Sequence, residues 1–269
     1  METACLTALY RYPVKGLSPE PLDHATLEAG GWFPGDRIHA VENGPSGFDP
    51  AKPVHRPKIA YLMLMRQARL ARLHTHYDDA TTTLVLNRDG KELARGNLST
   101  PEGRAAIEDF LSGFMGMEAR GPLKVLNAPA SYRFMDSAKS GFVSLLNLAT
   151  VRDLETQMGT RIDPLRFRMN LHLEGWPAGA ELELVGRTLM VGPVRFEVLK
   201  RTSRCPATEV NPRTAERDLD VVAGLRRAYG HVDCGIYMRP LNGGTVRMGD
   251  RIELCAPVPE QASSTALAG

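Results

Sequence analysis

Short runs of alternating apolar and polar residues, each cut off by glycine or a turn pair, recur along this chain and restrict it to a fold built mainly of β-strands. In Val194-Arg195-Phe196-Glu197-Val198 the period is two, the mark of a half-buried strand. LTALYRYPV reads as a strand broken by Lys15-Gly16, and DHATLEA as one ended by Gly30-Gly31. In DRIHAVEN, Ile38 and Ala40 alternate with Arg37 and His39 up to the turn pair Asn43-Gly44. TTTLVLNRDGKELARG predicts a hairpin around Asp89-Gly90. ELELVGRTLMVGPVRFEVLK and CGIYMRPLNGGTVRMGDRIEL add strands joined through glycines, whereas KIAYLMLMRQARLARL fits helix and strand equally.

Helical signals are few. Thr100 as N-cap, Pro101 at the first helical position and a stripe of Ile107, Phe110, Leu111 and Phe114 predict a helix that stops at Gly116. Leu148, Val151, Leu154 and Met158 mark a second, ended by Gly159, and LDVVAGLRRAYG a short third. Composition turns to Gly, Pro, Ala and Ser around residues 118–140, and the final APVPEQASSTALAG reads as a disordered tail. The expected class is α+β, mainly β.

A length of 269 residues allows one large domain or two modest ones. With 33 basic and 31 acidic residues the formal charge is only +2, which gives no support to nucleic acid or an acidic membrane as the main partner. Any basic patch that matters must be local. The N-terminus lacks a basic region followed by a long apolar run, and no segment approaches 18 consecutive apolar residues, so neither a signal peptide nor a membrane span is expected. Cys5, Cys205, Cys234 and Cys255 form no C-x-x-C pair and match neither a disulfide framework nor a zinc-finger set. Free thiols in a reducing cytoplasm are the expectation.

One thiol stands in unusual company. In KRTSRCP, Cys205 follows Lys200, Arg201, Thr202, Ser203 and Arg204. Cations favour the thiolate, the form that attacks or binds metal. If the strand stops at Lys200, residues 201–205 form a loop whose N–H groups and hydroxyls converge on an anion. One sulfur beside an anion cradle suits a metal whose other ligands come from an organic cofactor. Against this stands the plainer reading of a small buried hydrophobe at a strand end, with a solvated basic rim. His74 and His76 share a strand face but lack a third ligand and read as surface residues, while Cys5, Cys234 and Cys255 sit in apolar contexts and read as core. No dinucleotide fingerprint, P-loop, nucleophile elbow or iron–sulfur cysteine run is present.

Several stretches together resemble one family. LYRYPVKG followed by GDRIHAVENG, FRMN at 167–170, SRCPATEVNPRT, and finally CGIY with TVRMGDRIEL are similar in order and spacing to the MOSC proteins, named for the molybdenum cofactor sulfurase C-terminal domain. The likeness is to the branch of the amidoxime reducing component and its bacterial relatives, over about residues 5 to 255. It implies a small β-rich N-terminal domain over 1–117, a β-barrel-like MOSC domain with a few short helices over 118–256, and the tail over 257–269.

The implied cofactor is a molybdenum-pterin (Mo-molybdopterin), with Cys205 as the catalytic residue and molybdenum ligand. Thr202, Ser203, Arg204, Lys15, Arg37, Arg168 and Asn170 match cofactor-contacting positions, as do Ser140 and Gly141. Basic side chains suit a pterin phosphate, and Asn and hydroxyl groups its amide edges. Three positions depart from the family: Gly16 and Gly141 stand where a hydroxyl is common, and Met169 replaces a proline. Pyridoxal phosphate binding is a further property attached to the family.

The activity implied is reduction of small N-hydroxylated or N-oxide compounds with electrons from a separate ferredoxin- or cytochrome-type protein. A cofactor carrier or sulfur-transfer module, with a persulfide on Cys205, is the alternative of a different class, and a domain that has lost cofactor binding is the minimal one.

Overall fold

Alternation builds the central element. In the computed structural model, which describes residues 3–137 and 139–255, Val194, Phe196 and Val198 are buried while Arg195 is exposed. The strands are β1 (Ala4–Arg11), β2 (Glu20–Leu22), β3 (His24–Leu27), β4 (His39–Asn43), β5 (His74–Asp78), β6 (Thr83–Arg88), β7 (Lys91–Asn97) and β8 (Leu123–Asn127). They continue as β9 (Val143–Asn147), β10 (Leu171–Glu174), β11 (Thr188–Val191), β12 (Val194–Ser203), β13 (Asp233–Pro240), β14 (Gly244–Arg247) and β15 (Arg251–Leu254). The helices are α1 (Pro101–Met115), α2 (Leu148–Met158) and α3 (Val221–Tyr229).

Seven strands close a ring in the order β10-β9-β13-β12-β11-β15-β1, because β1 also pairs with β10, and β2 extends from β1. Closure removes sheet edges. Leu6, Leu9, Leu145, Leu173, Leu189, Phe196, Ile236 and Ile252 belong to its apolar filling. β9 and β10 are parallel and joined through α2, and a second cluster that includes Leu146, Val151, Leu154, Val221 and Leu225 seats α2 and α3. The other unit holds the β5-β6-β7 sheet, the β4-β8 pair and α1, packed around Leu70, Leu84, Leu86, Ile107, Leu111 and Val125.

The helix signals correspond to observed caps. Thr100 accepts a hydrogen bond from the Gly103 N–H at 3.1 Å, Asn147 accepts from the Ala149 N–H, and Gly159 takes the left-handed conformation after α2. The hairpin turns at Asp89-Gly90 between β6 and β7. KIAYLMLMRQARLARL is neither helix nor strand but two 3-10 turns, Lys58–Ala60 and Ala68–Arg72.

Two expectations are corrected. First, the strand before Cys205 does not stop at Lys200: a bulge between Val198 and Lys200 resets its register on β13, and pairing continues to Ser203. Second, Cys5 is exposed, because it points outward between the buried Ala4 and Leu6 of β1. Sheet membership interleaves the two units: β1 lies in the barrel, whereas β8 pairs with β4 in the other unit. The expected tail, 257–269, lies outside the described residues.

Candidate functional site

Where β12 ends, Arg204 donates its backbone N–H to the Val232 carbonyl at 2.8 Å, and Cys205 follows in extended conformation. Pro206 then starts a 3-10 turn, Pro206–Glu209, and the Cys205 carbonyl accepts from both the N–H and the hydroxyl of Thr208, each at 3.0 Å. The half-buried thiol residue lines a cleft of about 730 Å³, counted to its open mouth.

Both units contribute walls. Lys58, Met63, Leu64, Met65, Phe134, Met135 and Asp136 lie on one side; Arg166 to Met169, Arg204, Cys205, Ala207 and Tyr237 lie on the other; Lys15, Gly16 and Arg37 join them. Six lining side chains are cationic (Lys15, Arg37, Lys58, Arg166, Arg168 and Arg204) against the single carboxylate of Asp136. In a chain of formal charge +2 this is the local basic patch, and it favours an anionic guest.

The cations are held by the backbone as well as by carboxylates. Lys15 donates to the Phe134 carbonyl at 2.9 Å and pairs with Asp136. Arg37 pairs with Asp36 and donates to the Arg168 carbonyl at 2.9 Å, and Arg168 donates to the Leu17 carbonyl at 2.7 Å. Both guanidinium groups stack on the fully buried ring of Tyr12, at 4.4 and 4.3 Å from its centroid. Burial lowers the pKa of Lys15 and brings that of Arg168 down to about 10. Burial also works against the Arg37 charge, but the Asp36 carboxylate outweighs it and raises that pKa. For Asp136, burial opposes ionisation and the nearby Lys15 ammonium more than offsets it, lowering the pKa.

Of the three cations adjoining Cys205 in sequence, only Arg204 lines the cleft. Its guanidinium bonds the Phe167 carbonyl and approaches the Met169 sulfur at 3.4 Å, while its buried Nε has no hydrogen-bond partner among the described residues. Arg201 turns away to the Leu182 carbonyl and Glu183, and exposed Lys200 lies over the Tyr237 ring.

The cleft thus unites Cys205, Arg204, Lys15, Arg37 and Arg168, but its lining leaves out the other expected contacts. Asn170 is fully buried: its Oδ1 accepts from the Ser144 N–H and hydroxyl, and its Nδ2 donates to the Tyr10 carbonyl, so it ties β9 to β1. Because β12 extends past Lys200, Thr202 turns into the protein and Ser203 outward onto Asp233. Ser140 and Gly141 donate backbone N–H groups to the Ser137 carbonyl, in a turn beside the cleft-lining Met135.

Gly16 has a physical reason to depart from serine: its φ is +84°, and a Cβ there would lie 2.8 Å from the Leu62 carbonyl oxygen. Lys58, Arg166, Asp136, Tyr12 and Tyr237 were missed. Arg166 adjoins the FRMN stretch and Tyr237 lies within CGIY, whereas Lys58 sits where no periodicity was legible.

His74 and His76 are exposed, and no group of three or more His, Cys, Asp or Glu placed to hold a metal occurs among the described residues. Among those residues, no helix is long and apolar enough to cross a membrane.

Comparison with known proteins gives the family of the chain. The MOSC N-terminal beta barrel domain family matches residues 3–118, and the MOSC domain family matches residues 136–253. A molybdenum cofactor sulfurase of Caenorhabditis elegans is 29% identical over 119 residues, covering 41% of this chain and 16% of that protein's length. Among solved structures, the YuaD protein of Bacillus subtilis has a TM-score of 0.45 at 15% identity, over 94% of this chain and 98% of its own. YiiM of Geobacillus stearothermophilus has a TM-score of 0.34 at 17% identity, over 43% and 54%. The chain belongs to the MOSC-domain proteins, a family associated with the molybdenum cofactor.

Proposed function

We propose that the cleft binds a molybdenum-pterin cofactor and that the protein is an oxidoreductase acting on small N-hydroxylated or N-oxide compounds in a reducing cytoplasm. One observation carries this reading: the half-buried Cys205 shares its cleft with six cationic side chains. The donor set fits the group. A single thiolate ligand leaves the remaining coordination to the cofactor's own sulfur and oxygen atoms. The buried Nε–H groups of Arg204 and Arg166, unpartnered among the described residues, are donors that suit anionic oxygens.

Cys205 would ligate molybdenum, and Lys15, Arg37, Arg168 and Arg204 would hold the pterin and its phosphate. When bound, the cofactor supplies the two-electron redox chemistry. Converting N–OH to N–H consumes two electrons and two protons and releases water, and a ferredoxin- or cytochrome-type donor supplies the electrons. The bonds from Thr208 to the Cys205 carbonyl and from Arg168 to the Leu17 carbonyl hold those residues in place.

The test is molybdenum and pterin stoichiometry on protein from a host that makes the cofactor, with and without Cys205→Ala. Near-equimolar molybdenum and pterin in the parent, with a reductase rate at least ~100-fold lower in the variant, is expected. Absence of both from the parent would overturn the reading. The likeness to a protein named molybdenum cofactor sulfurase favours a second reading, carriage of the cofactor or of sulfur on Cys205. A stable added sulfur on Cys205 by intact mass, without turnover, would select it.

A further inference from the structure

We propose that Arg217 is the positioning residue that holds the Cys205 loop against the opposite wall of the cleft. Its Nη1 donates to the Pro206 carbonyl at 3.0 Å and to Glu209 at 3.2 Å. Its Nη2 donates to the Leu64 carbonyl at 3.0 Å and the Met65 carbonyl at 2.7 Å. Leu64 and Met65 line the cleft on one side, and Pro206 directly follows Cys205 on the other. One guanidinium therefore spans from the thiol's own loop to the facing wall.

The rest of the loop is tied to the barrel side. Arg166 donates to the Glu209 carbonyl at 2.8 Å and pairs with Asp218 at 2.5 Å, while Val210 and Arg217 form a β-bridge and the Asn211 N–H bonds the Glu216 carbonyl. Residues 206–218 thus make a strap anchored at its base by Arg166, with Arg217 reaching across. The planar fork presents Nη1 to one side and Nη2 to the other in a fixed geometry, which a compact ammonium does not. Arg217 accordingly fixes how far Cys205 stands from the residues 63–65 and how large a group can reach its sulfur.

The test uses the thiol itself and stands whether or not the chain binds a cofactor. Full-length protein from a host lacking the pterin is treated with a bulky polyethylene-glycol maleimide, and each cysteine is followed by peptide mass spectrometry. Arg217→Ala and Arg217→Lys should both label Cys205 about tenfold faster than the parent, as for a local opening. Fully buried Cys234 reports global unfolding and should stay unlabelled in both. Unchanged Cys205 labelling, parent-like protection in Arg217→Lys, or labelling of Cys234 in step with Cys205 would each overturn the proposal.

Discussion

Tyr12 is the post on which two cleft cations rest. Arg37 and Arg168 both adopt positive φ, at 48° and 53°, a conformation that costs a non-glycine residue about 1 kcal/mol or more. The stack on Tyr12, the Asp36 carboxylate and the bond from Arg37 to the Arg168 carbonyl hold them there. The Tyr12 hydroxyl is buried without a hydrogen-bond partner among the described residues, so the ring rather than the oxygen carries the role. Tyr12→Phe should match the parent or exceed it by up to ~1 kcal/mol in urea unfolding, since an unpaired buried hydroxyl is a cost. Tyr12→Leu should lose about 3 kcal/mol through lost packing and stacking. A Tyr12→Phe protein destabilised as much as Tyr12→Leu would assign the role to the hydroxyl instead.

At the scale of elements, close approach outranks propensity. A Cβ at Gly103, in the first turn of α1, would lie 2.1 Å from the Asn97 carbonyl oxygen, and one at Gly96 of β7 would lie 2.0 Å from the Gly103 oxygen. Helix propensity alone would make Gly103→Ala stabilising by about 1 kcal/mol. The contact reverses that sign, and a net loss of about 2 kcal/mol is expected in thermal or urea unfolding. A more stable Gly103→Ala protein would show that α1 can slide off β7 at little cost.

Local chemistry made such elements legible: Thr100, Pro101 and Gly116 bracket α1, and Asp89-Gly90 turns the hairpin. The run of β12 beyond Lys200 was not, because a bulge at Leu199 depends on its pairing with β13 and leaves no mark in the composition. The site divides in the same way. Cys205 and Arg204 stand out locally, but Lys58 and Tyr237 join them only through packing between the two units.

For the whole molecule, buried histidines set the response to acid. Burial depresses His39 and His172 to about 4, against an ordinary value of about 6.5. The unfolded chain therefore takes up protons first as pH falls. Their contribution is fully present above pH ~6.5 and is lost as pH falls toward ~4. Glu181, fully buried against Asn147 and Thr150, has its pKa raised by burial and acts with the opposite sign, offsetting part of the loss. Urea titrations should show stability falling by about 2–3 kcal/mol between pH 7 and pH 5. A flat profile there would contradict the burial of the two imidazoles.

The way the ring closes also matters while the protein is being made. β1 meets its partners at residues 171–174 and 251–252, far along the chain. Apart from its short local pairing with β2, a nascent chain on the ribosome therefore carries its first strand without its ring partners until residues 171–174, and then 251–252, have emerged. Folding dominated by such distant pairings is slow, and an open strand edge in the meantime invites association with other chains.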